Sequence, residues 1–114
     1  MEGVLNVIDY ERAAEAQMKC TYTGDYERGN LESDKLREYN MLITDEFESY
    51  RKMVDDILEK GTVNSCIWIS NVVKALNYRV DYAIKKLEAI AKDESLGIIS
   101  FNAEMMLMQL CQTK

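Results

Sequence analysis

The sequence contains no proline and no histidine, and only five glycines in 114 residues. Without proline, and with so little glycine, most turn punctuation is missing, which favours long helices joined by few connections. No Asn-Gly or Asp-Gly pair occurs and no strict alternation of polar and apolar residues runs for long, so strand and hairpin signals are poor. The lack of histidine removes the commonest general base and metal ligand. It also excludes the Glu-x-x-His carboxylate sites of helical bundles. There is no phosphate-cradling glycine loop. Cys20, Cys66 and Cys111 are odd in number and widely spaced, which fits neither a disulfide framework nor a zinc knuckle, and no histidine is present to activate a thiol. No run of 18 apolar residues exists to cross a membrane. The opening MEGVLNVIDYERAA sets Glu2 and Asp9 where a secretory leader carries basic residues. These absences lead us to expect a cytoplasmic protein, not an enzyme, with no cofactor, no metal and no membrane association.

What is present is an ordinary globular balance. Apolar residues make up 47% of the chain, enough for one packed domain over residues 1–114. The net charge is −6, which disfavours general nucleic-acid binding. The charge is uneven: residues 1–60 carry 15 acidic and eight basic side chains, whereas residues 61–114 carry five and six. The two halves therefore attract each other, within a fold or between subunits.

Helical spacing runs through most of the chain. Asn6 is a suitable cap for a first helix over 7–22, with Val4, Ile8, Ala14, Met18 and Tyr22 as a thin apolar stripe. The segment 21–30, with two glycines, reads as a loop. A second helix is expected over 31–60, stopped by Gly61 in the left-handed conformation that glycine accepts. A third follows over 63–94 with Thr62, Asn64 or Ser65 as cap, and a fourth over about 98–112, capped at Asn102.

Leu36, Tyr39, Ile43, Phe47, Tyr50, Val54 and Ile57 fall on one face of the second helix, and Cys66, Ile69, Val73, Leu76, Val80, Ile84 and Leu87 on one face of the third. The two sets mirror each other about Gly61, so that Tyr50 meets Val73 and Ile57 meets Cys66. The expected fold is therefore all-α: a long antiparallel hairpin, about 45 Å at 1.5 Å per residue, with two shorter helices packed against it in a small bundle. Flanking charges, Glu38 with Lys85, Glu48 with Lys74 and Glu32 with Lys92, would attract across the seam. Two helices of half that length cannot cover such a hairpin, so a homo-oligomer, most simply a dimer, or a partner protein is expected to cover the rest.

A different organisation competes for residues 70–101. SNVVKALN, then YRVDYAIKKLEAIA, then LGIISF resembles a winged helix-turn-helix, with support helix, recognition helix and wing strand. That resemblance implies a DNA-binding regulator in which Arg79, Tyr82, Lys85 and Lys86 meet phosphates or base edges. Against it, Asn77-Tyr78-Arg79 holds no glycine or proline, and the helical stripe crosses it without a change of phase. A second alternative is a small phosphate-bearing ligand, or an acidic partner, held by Tyr78, Arg79, Tyr82, Lys85 and Lys86.

The most suggestive binding features lie elsewhere. The run Met105 to Met108 is flexible and polarisable, as suits a surface that adapts to a partner. Trp68, with Val72 on its side of the third helix, is a candidate anchor. With Met105, Met106 and Met108 these residues form the expected partner-binding set. The function expected is non-catalytic: an adaptor or inhibitor, such as viral or mobile-element accessory proteins provide, that occupies another protein's surface.

Overall fold

The computed structural model describes residues 5–113 and contains no strand among them. Six helices follow one another: α1 (Val7–Thr23), α2 (Tyr26–Asp45), α3 (Phe47–Lys60), α4 (Val63–Leu76), α5 (Val80–Lys92) and α6 (Ile98–Thr113), with a single 3₁₀ turn at Glu94–Leu96 between the last two. The all-α bundle is as the sequence leads one to expect. Its long arms are not. The greatest extent of the molecule is 37 Å, too short for a rod of about 45 Å, and each expected arm is two helices.

The first arm breaks at Glu46, with no glycine or proline involved. Two residues earlier the Thr44 hydroxyl donates to the Asn40 carbonyl at 2.7 Å, a back-bond of a kind that often bends helices, although Ser70 makes the same bond to Cys66 O inside unbroken α4. The second arm breaks at Asn77, which takes the left-handed conformation (φ 51°). Asn77 N–H donates to Lys74 O and Tyr78 N–H donates to Val73 O. This is the Schellman closure, with asparagine in the place glycine usually takes. Arg79 is left-handed too (φ 54°) and has no side-chain reason of its own to be so.

The inner half of the hairpin survives. Gly61 ends α3, Thr62 caps α4 by accepting from Ser65 N–H, and the Cys66 thiol donates to Ile57 O at 3.2 Å across the turn, in the expected register. Gly61 is there for a different reason than expected. Its backbone is extended (φ −71°, ψ 169°), so no left-handed turn is involved. A Cβ at this position would instead sit 2.6 Å from Ile57 O, inside any normal contact.

Other boundaries shift as well. The expected loop over 21–30 shrinks to Gly24 and Asp25, because Asp25 caps α2 by accepting from Arg28 N–H. Helix α6 begins at Ile98, so Asn102 lies inside it rather than capping it. In α1 the buried face is Tyr10, Ala13, Ala14 and Met18; Ile8 and Tyr22, expected on the stripe, are exposed, and Val4 lies outside the described residues. The expected cross-seam ion pairs are replaced by local ones: Glu32 pairs with Lys35 and Glu48 with Arg51.

One connected apolar core draws on all six helices, with Leu36, Ile43, Val54, Ile57, Ile69, Val73, Leu87 and Leu110 fully buried. Helix α1 packs on α2, and α5 on α6. A polar relay threads this core: Tyr10 Oη donates to Asn40 Oδ1 at 2.6 Å, and Asn40 Nδ2 donates to Trp68 O at 3.2 Å. The relay fixes α1, α2 and α4 to one another and sets the height of Trp68. Among the described residues, no helix is long and apolar enough to cross a membrane.

Candidate protein-binding surface

Helix α6 is apolar on two opposite faces. Ala103, Met106 and Leu110 point into the core. Ile98, Phe101, Met105 and Met108, spaced by three, four and three, share the other side and stay between 40% and 57% exposed. One of the two apolar faces is therefore left uncovered by the rest of the chain. Only one of its residues, Glu104, is charged. Beside this stripe lies a shallow cleft of about 300 Å³ between α1, α4 and α6, lined by Gln17, Ile67, Trp68, Asn71, Asn102, Met105, Met106 and Gln109.

The structure thus brings Trp68, Met105 and Met106 together, with Met108 one turn further along the stripe. Two members of the expected set are buried. Val72 is 1% exposed in the core of α4, and Met106 is 4% exposed and floors the cleft rather than facing out. Helical phase explains both, since α4 and α6 turn these positions toward the common core. Phe101 and Ile98 extend the stripe beyond the expected set, and their residue types alone do not mark them. The signal that finds them is the three-four-three spacing from Ile98 onward.

The second expected cluster also converges, but inward. Arg79 Nη1 lies 2.8 Å from both Asp55 Oδ1 and Glu59 Oε2, and its guanidinium stacks over the Tyr82 ring at 4.4 Å. Tyr78 Oη donates to Asp55 Oδ1 at 2.8 Å, and the Tyr78 ring meets Phe47 edge-on at 4.8 Å. Lys86 Nζ donates to Glu59 O at 3.2 Å, at the negative end of α3. Its hydrogen bonds to Asp55 and Glu59 raise the Arg79 pKa above its usual value. Desolvation, then the bond to Asp55, raises that of Tyr78. Here the basic second half of the chain does meet the acidic first half. Three of the five residues expected at a phosphate or an acidic partner, Tyr78, Arg79 and Lys86, bond to α3, and Tyr82 is stacked beneath Arg79; Lys85 is exposed.

No family model, curated protein or solved structure matches this chain. The surface therefore stands on its own chemistry. Among the described residues, no three His, Cys, Asp or Glu side chains gather to hold a metal ion. Cys20 and Cys66 are buried, and burial pushes the Cys66 thiol up from its ordinary value, away from nucleophilic use. The expected wing is also missing: residues 98–101 are the first turn of α6.

Proposed function

We propose that this protein is a non-catalytic binding module, an adaptor or inhibitor, that docks another protein on the α6 face. The observation that supports it is the stripe Ile98, Phe101, Met105 and Met108, nearly free of charge and continuous with the Trp68 cleft. A flat row of large apolar side chains beside a cleft suits a helix or loop of a partner protein, with methionines adapting to its shape. A DNA-regulator function has less support, because Arg79 and Lys86 spend their donors on α3 and no wing strand follows α5.

The test is affinity capture from the native host lysate, with the wild type, Phe101→Glu and Met105→Glu as baits of matched helicity. Both positions are exposed, so a charge there spares the core. A protein held by the wild type and lost by both variants is the expected result. Identical captured proteins for all three baits would refute the assignment of this face.

A further inference from the structure

The α6 stripe carries more than its exposure. We infer that in the free protein its occupant is a second copy of this chain, laid antiparallel along α6 about a two-fold axis; this rests on the reading of the stripe as a docking face. First, the spacing reads the same from either end. An antiparallel copy sets Ile98 against the partner's Met108 and Phe101 against the partner's Met105, and the two-fold repeats both rungs, as an isologous interface requires.

Second, two copies of a −6 chain repel, and the acidic excess sits in residues 1–60. Helix α6 belongs to the other half and carries Glu104 as its single charge, so contact along it sets little like charge between the copies. Third, the size is right for a reversible dimer. Four side chains about half exposed offer on the order of 400 Å² per copy, short of the ~800 Å² of a standard interface. The partner's Phe101 falls against Met105, on the rim of the Trp68 cleft, and the cleft supplies the additional contact. The dimer is accordingly concentration-dependent, and a target protein competes with it for the same face.

Light scattering over a concentration series tests this, with circular dichroism to verify folding. The wild type should rise from 13.2 kDa toward twice that mass. Phe101→Lys and Met105→Glu should each stay monomeric alone. Mixed in equal amounts they should dimerise, because the antiparallel register then places the two introduced opposite charges on one rung and leaves Met105 against Phe101 on the other. Should a charged variant lose helicity, Phe101→Ala and Met105→Ala replace them and should each weaken the dimer at least tenfold. A wild type that stays monomeric to about millimolar concentration overturns the proposal. So does a dimer indifferent to all four substitutions, or a charged pair that fails to rescue. A monomer that still captures a partner through this face overturns the dimer alone, and a dimer that captures nothing overturns only the adaptor function.

Discussion

Replacing Gly61 by alanine sets two effects against each other, and the structure says which wins. The backbone at Gly61 is extended, a conformation open to alanine, so loss of unfolded-state freedom alone would stabilise the protein by about 0.4–1 kcal/mol. The added Cβ, however, would lie 2.6 Å from Ile57 O, 3.0 Å from Ile57 Cα and 3.1 Å from Ile57 Cγ2. Two of these atoms are backbone of the last turn of α3, and Ile57 O already accepts from Gly61 N–H and from the Cys66 thiol. Relief therefore requires the α3–α4 corner to open, which at the usual overpacking cost of about 1–3 kcal/mol outweighs the entropic gain. We expect a net loss of about 1–2 kcal/mol, or a fall in Tm of roughly 4–8 °C for a domain of this size. Urea and thermal melts by circular dichroism measure it. Gly24 is the control: it is left-handed (φ 79°) with open space around its Cβ position, so asparagine should serve there better than alanine, whereas at Gly61 asparagine should be no better than alanine. A Gly61→Ala protein that melts at or above the wild type would refute the close-approach account.

Three further outcomes follow from the joint and the core. Asn77→Ala places a side chain poorly suited to φ 51° and should cost about 1 kcal/mol; Asp55→Ala, which takes a partner from both Tyr78 and Arg79, should cost about as much at low salt and less at high salt, since the pair is about a quarter to a third exposed. A denaturation midpoint unchanged by either would argue against a strained, clamped joint. Burial raises the folded-state pKa of Cys66 and, more strongly, of Tyr10. The unfolded chain then releases these protons first, so stability is full below the ordinary thiol value of about 8.5 and declines as pH rises through the folded values. Cys66→Ala should remove the first part of that alkaline decline in a pH series of urea midpoints, and an unaltered curve would count against it.

The helical character of the chain, the α1 start at Asn6, the Gly61–Thr62 corner and the Ile57–Cys66 register were all legible, because each depends on local chemistry or on spacing within one turn. The breaks were not. At Glu46 the backbone leaves the helix (φ −119°, ψ 43°) beside a Thr44 back-bond of the kind that Ser70 also makes inside unbroken α4, and at Asn77 an asparagine takes a role read for glycine alone. Periodicity survives both bends, since each new helix resumes with its apolar face toward the same core, and spacing alone cannot register a change of direction. The candidate surface was half legible. Trp68 and the exposed methionines were marked by residue type, but Val72 and Met106 belong to the core because packing, not composition, decides which face of α4 and α6 is covered.

The clamp on Arg79 also ties distant parts of the chain together. Asp55 and Glu59 lie four residues apart, one turn of α3, and both reach a single guanidinium. Arg79 holds a left-handed conformation that costs a bulky residue free energy, and the α3 carboxylates offset that cost from outside, while the bonds from Asn77 and Tyr78 close the elbow from the α4 side. The direction in which α5 leaves, and with it the seat of α6, is thereby anchored to a helix far upstream.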